Sequence, residues 1–129
     1  MALNVLIVDD SAVMRRMIAR ALELTGMPVA KVFEAGDGVR GLAAAMEHPI
    51  DLALIDINMP EKNGLDVLSE LRTHGKTSAL PVVMVSTEGS EPRIEMIRAN
   101  GAAFVRKPFT PEALVAAIVT AVGGRDDDE

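Results

Sequence analysis

Four short stretches of this sequence carry residue types that do chemistry in combination: Asp9-Asp10, Asp56, Ser86-Thr87 and Lys107-Pro108. Three carboxylates brought to one place repel one another and hold protons more tightly unless a cation stands between them. A hard divalent cation answers that need. Oxygen ligands that leave positions for water suit Mg2+ or Mn2+, bound through one or two carboxylates and the oxygens of a phosphate. A carboxylate is also a nucleophile that becomes an aspartyl phosphate. A lysine supplies a compact positive charge for phosphate oxygens, and a serine or threonine hydroxyl supplies a hydrogen-bond donor. Asp9, Asp10, Asp56, Ser86 and Lys107 therefore make a complete phosphoryl-acceptor set, provided that the fold gathers them.

The surrounding sequence is organised to do so. Residues 5–8, 52–55 and 82–85 are apolar at every position, the pattern of strands covered on both faces in a parallel sheet. Residues 30–35 and 104–106 are shorter or broken by Lys31, Glu34 and Arg106, which suits sheet edges. Helix patterns lie between them. Ser11 caps a stripe of Val13, Met14, Met17, Ile18, Ala21 and Leu22 that stops at Gly26 and Pro28. Residues 38–48, 65–72 and 92–99 read as three more helices, and Thr110, Pro111 and Glu112 open a last one running to Val122. Five β-α units predict a doubly wound α/β fold with a five-stranded parallel sheet. Ligands of such sheets bind beyond the carboxyl ends of the strands, where the strand order switches. All four chemical stretches directly follow strand segments.

Composition bounds the partners. With 129 residues the chain has the length of one domain, expected over residues 1–122 with an acidic, disordered tail at 123–129. The apolar fraction is 49% with three Phe and no Tyr or Trp, so the core must be aliphatic and bases find no stacking platform. The formal charge is -6, half of it from residues 125–129, and no basic cluster offers a footprint for DNA or RNA. Cysteine is absent, and no apolar run approaches the ~20 residues that span a bilayer. No signal-peptide pattern is visible at the amino end. The expectation is a cytoplasmic monomer without nucleic-acid or membrane contact.

Taken as a set, Val8-Asp9-Asp10-Ser11, Asp56-Ile57-Asn58-Met59-Pro60 with Gly64, Ser86-Thr87-Glu88 and Lys107-Pro108-Phe109 resemble the signature of the response-regulator receiver family, the CheY-like domains. The resemblance covers the chain from Leu3 to about Val122. It implies the strand order 2-1-3-4-5, Asp56 as the phosphorylated residue, and a histidine kinase as donor. It further implies Mg2+ bound by Asp10, Asp56 and the Asn58 backbone carbonyl, with Asp9 acting through water. Ser86 would contact the phosphoryl group, Thr87 would gate access, and Lys107 would pair with the group across a cis bond to Pro108. Ser86 and Phe104 would be the switch residues, altering the surface of the fourth helix, fifth strand and fifth helix for a downstream partner. Asn58 and Glu88 would tune self-dephosphorylation toward a short-lived state. Such a domain is a switch that catalyses its own phosphorylation and dephosphorylation and is not a conventional enzyme.

The chain departs from the family pattern at three points. Thr87 is larger than the usual residue there, the stretch from Gly101 to Phe104 is one residue short, so that its loop is expected to be rebuilt, and Phe104 stands where a tyrosine hydroxyl is often found. Met14-Arg15-Arg16 and the Asn58/Glu88 pairing favour a motility or chemotaxis partner, such as a motor switch. The alternatives are a phosphorelay intermediate or phosphate sink, a haloacid-dehalogenase-type phosphatase, and an interaction module that is not phosphorylated. The phosphatase motif needs a second Asp where Asn58 stands, and the module would have lost an acidic residue or the lysine.

Overall fold

The computed structural model describes residues 2–87 and 89–126. Strands β1 (Leu3–Val8), β2 (Val29–Ala35), β3 (Leu52–Ile55), β4 (Val82–Ser86) and β5 (Ala103–Arg106) alternate with helices α1 (Ala12–Leu24), α2 (Gly38–Glu47), α3 (Gly64–Thr73), α4 (Glu91–Ala99) and α5 (Pro111–Asp126). All strand pairs are parallel, and the sheet order is β2-β1-β3-β4-β5. The doubly wound sheet is therefore the one expected.

Strand alternation divides the core into two layers. Val5, Ile7, Leu52, Leu54, Val83 and Val85 face α1 and α5, where Ile18, Leu22, Leu114 and Ile118 meet them. Leu6, Val8, Ala53, Ile55, Val82 and Met84 face the other way, onto Ala45, Val67, Leu68, Leu71 and Ile97 of α2, α3 and α4. Both faces being covered is why these strands are apolar at consecutive positions. Each fully buried Leu or Ile contributes roughly 1.5–3 kcal/mol. Only β2 and β5, at the edges, carry exposed residues within the strand.

Helix starts follow the expected chemistry. Ser11 Oγ accepts from Met14 N at 3.1 Å, Asp37 Oδ1 from Arg40 N at 2.8 Å, Asn63 Oδ1 from Asp66 N at 2.9 Å and Thr110 Oγ1 from Ala113 N at 3.0 Å. Each satisfies an amide that the first helical turn leaves open.

Most boundaries shift by one or two residues, and two of the differences bear on the chain's organisation. Helix α5 continues past Val122 to Asp126. Gly123 and Gly124 weaken a helix by about 1 kcal/mol each, but with no proline present they do not end it. The expected tail is thereby shortened, and residues 127–129 lie outside the described residues. The short stretch before β5 is closed by the end of α4 itself: Gly101, at φ 71°, donates to Arg98 O, and Ala102 donates to Ile97 O. This paired closure needs a left-handed residue, which glycine supplies without strain. Strand β5 then begins at Ala103 and not at Phe104.

Candidate functional site

The register of the sheet delivers the site. Val8 pairs with Ile55 and Ile55 with Met84, while β4 and β5 run two residues further to the pair Ser86 and Arg106, so the four strands end within two residues of one another. Backbone bonds carry the pairing past the strands: Asp9 N donates to Ala35 O, Asp56 N to Val8 O, and Lys107 N to Ser86 O. Asp9-Asp10, Asp56, Ser86 and Lys107 consequently surround one point at the switch between β1 and β3.

Oxygens of Asp9, Asp10 and Asp56 all lie within 4.8 Å of one another. Asp9 and Asp56 are buried, whereas Asp10 is exposed. Lys107 Nζ is 2.8 Å from Asp9 Oδ2 and 3.6 Å from Asp56 Oδ1. Asp9 Oδ1 accepts the Ser11 amide at 2.9 Å. Burial pushes the Asp56 carboxyl above its ordinary range. The Lys107 ammonium opposes that push, Asp9 adds to it, and the neighbouring Ser86 hydroxyl and Ile57 amide pull the other way.

The donor set fits a small hard cation. Three carboxylates converge, one of them open to water, and the only opposing charge among the described ion pairs of this cluster is Lys107. An ion that prefers oxygen ligands and keeps several waters matches that combination of buried and exposed ligands.

Of the two adjacent hydroxyl residues, Ser86 is buried beside Asp56 and lowers its pKa, and Thr87 is exposed. Asn58 is exposed one residue beyond the buried Ile57. The Lys107-Pro108 bond is cis. Phe104 is half-buried against the core layer that faces α4. Glu88 lies outside the described residues.

The acceptor's own backbone is tightly held. Gly64 N donates to Ile57 O at 2.7 Å, and a Cβ on Gly64 would stand 2.0 Å from the Asp56 carbonyl oxygen. Glycine is required there by close approach, which explains its place at the start of α3.

Arg15, singled out in the sequence only within a motility-partner motif, supports the site instead. Arg15 Nη1 donates to the Asp9 carbonyl at 2.6 Å while its Nε donates to Glu34 Oε1 at 2.8 Å, tying the acidic loop to β2. The sequence signal was an arginine four residues after Ser11, on the helix face that returns to the loop, and only the pairing of β2 with β1 makes Glu34 its partner.

A parallel doubly wound sheet with converging carboxylates, a lysine and a hydroxyl at its switch point defines the class of phosphoryl-accepting signalling domains. The chain belongs to the response regulator receiver domain family, whose model matches residues 5–119. It is 34% identical over 126 residues to the chemotaxis protein CheY1 of Helicobacter pylori, covering 96% of this chain and 100% of that protein. Its fold superposes on the chemotaxis response regulator CheY4 of Vibrio cholerae with a TM-score of 0.80 and 31% identity, over 94% of this chain and 99% of that one. It also matches the Borrelia burgdorferi CheX–CheY–BeF3–Mg2+ complex with a TM-score of 0.80 and 27% identity, over 92% and 87% of the two chains. The protein is accordingly a phosphorylation-dependent two-component signalling switch and not a conventional enzyme. Among the described residues no helix is long and apolar enough to cross a membrane.

Proposed function

We propose that Asp56 accepts a phosphoryl group from the phosphohistidine of a histidine kinase and that the chain itself catalyses the transfer. A carboxylate oxygen of Asp56 forms a bond to phosphorus as the phosphorus–nitrogen bond breaks, and the departing electron pair returns to the imidazole nitrogen, which takes up a proton. The observation that carries this reading is the convergence of Asp9, Asp10 and Asp56 with Lys107 within reach of the acceptor.

Asp10, Asp56 and the Asn58 backbone carbonyl would hold Mg2+ or Mn2+, with Asp9 reaching it through water; the ion supplies charge neutralisation for the phosphoryl oxygens. Lys107 turns from Asp9 toward the new phosphoryl oxygens, and the Ser86 hydroxyl, buried beside Asp56, donates to them. Thr87, exposed at the mouth, governs access, and Asn58 with Glu88 orients the water that later removes the group. The dianionic product favours an inward Ser86 and a repositioned Phe104.

Output goes to a downstream protein through the α4–β5–α5 face, where a groove of about 630 Å3 is lined by Arg98, Phe104, Arg106, Ala113, Ala117 and Thr120. The similarity to chemotaxis proteins over nearly the whole chain supports a motility partner. A cytoplasmic, monomeric protein fits this reading.

Intact mass of the wild type and Asp56→Ala after incubation with Mg2+ and acetyl phosphate tests it. A metal-dependent gain of ~80 Da, one phosphoryl group on an aspartate, that is absent from the variant supports the assignment. No gain in wild type with bound Mg2+ would favour an unphosphorylated interaction module.

A further inference from the structure

Arg106, the last residue of β5, reaches across to the loop that joins β4 to α4. Its Nη2 donates to the Gly89 carbonyl at 3.0 Å, and its guanidinium carbon stands 5.7 Å from the centre of the Phe104 ring. The loop, the ring and the guanidinium leave one another no space: a methyl group on Gly89 would lie 2.7 Å from Phe104 Cζ and 3.0 Å from Arg106 Nη2. Among the described residues no carboxylate pairs with Arg106, so its partners are a backbone carbonyl and an aromatic face. A hydrogen bond from a charged donor to a carbonyl is stronger than one between neutral groups, and a cation over a ring face adds an attraction that survives partial exposure.

The same loop follows Ser86, the last residue of β4, which is in register with Arg106 on the neighbouring strand and lies buried beside Asp56. Phe104 carries no hydroxyl with which to bond the loop. Arg106 supplies the polar link instead, two residues further along the strand, and it also lines the α4–β5–α5 groove.

We propose that Arg106 is a positioning residue: by holding the Gly89 carbonyl and covering the Phe104 ring it anchors the chain after β4 at Gly89, keeps Ser86 beside Asp56, and so speeds phosphorylation of Asp56. The kinetic part rests on the reading of Asp56 as acceptor. Because the guanidinium also lines the groove, the clamp joins the output face to the loop.

The test uses Arg106→Ala, Arg106→Lys and Gly89→Ala in the full chain. With three Phe and no Tyr or Trp, the ring-proton spectrum reports Phe104 with little overlap. In unphosphorylated protein, Arg106→Ala and Gly89→Ala should both move the Phe104 ring signals and the Thr87 amide, while the melting temperature and Mg2+ affinity stay at wild-type values for Arg106→Ala. Its phosphorylation by acetyl phosphate should be about threefold to tenfold slower, the effect of losing one partly exposed charge-assisted hydrogen bond. Arg106→Lys should recover part of that rate, since it keeps the cation but not the fork of donors. Unmoved ring and amide signals in Arg106→Ala would overturn the clamp, and moved signals with a wild-type rate would overturn its positioning role. A wild type that takes no phosphoryl group would instead overturn the acceptor reading, leaving the clamp to be judged by the spectra of unphosphorylated protein.

Discussion

The Lys107 ammonium is paired with Asp9, at 2.8 Å, more closely than with Asp56, at 3.6 Å. Both groups of the closer pair are nearly buried, with side chains 11% and 2% exposed. Breaking such a pair from one side leaves an uncompensated buried charge. Lys107→Met should therefore destabilise the metal-free protein at pH 7 by about 2–3 kcal/mol, measured by urea denaturation, and Mg2+ should restore part of the loss. An unchanged midpoint would mean that solvent, and not the lysine, compensates Asp9.

Asp56 makes metal-free stability depend on pH. Burial, opposed by Lys107 and reinforced by Asp9, raises its folded pKa above the unfolded value of 3.8. The folded state then holds the proton more tightly, so this group's contribution is most favourable below pH 3.8 and is lost as pH rises through the folded value. Asp56→Asn should raise the melting temperature at pH 7 by a few degrees, with a smaller gain near pH 4 and a smaller gain in Mg2+. Thermal denaturation at the two pH values checks this; a gain that grows on acidification would contradict the sign.

Asp10 is the exposed member of the carboxylate cluster. Its removal should weaken Mg2+ binding about tenfold or more while leaving the metal-free melting temperature at or slightly above that of wild type. Calorimetric titration of Asp10→Asn measures the first quantity. Wild-type affinity would place the ion away from this carboxylate.

Gly64 leaves no room for a side chain beside the Asp56 carbonyl. Gly64→Ala should cost about 2–3 kcal/mol by forced displacement of the acceptor backbone and should slow phosphorylation. Gly75→Ala is the matched control, because nothing lies within 4 Å of a Cβ built there. Equal effects from the two substitutions would refute the steric argument.

The fold was legible because its signals are local or periodic. Consecutive apolar residues in 52–55 and 82–85 mark strands covered twice, and Ser11 and Thr110 are caps whose chemistry acts within three residues. The candidate site was legible as a set, since Asp9, Asp10, Asp56, Ser86 and Lys107 each follow a strand and a parallel sheet collects strand ends.

Sequence alone determined the residue kit, the alternation of elements and the aliphatic core. Tertiary structure decided which residues touch. The burial of Ser86 and the exposure of Thr87 depend on which face of the chain turns toward Asp56, and the closer pairing of Lys107 with Asp9 depends on the reach of a side chain 98 positions away. Arg15 on Glu34 and Arg106 on Gly89 belong to the same category. Such contacts depend on strand register and side-chain packing between segments distant in sequence, and neither leaves a periodic trace along the chain.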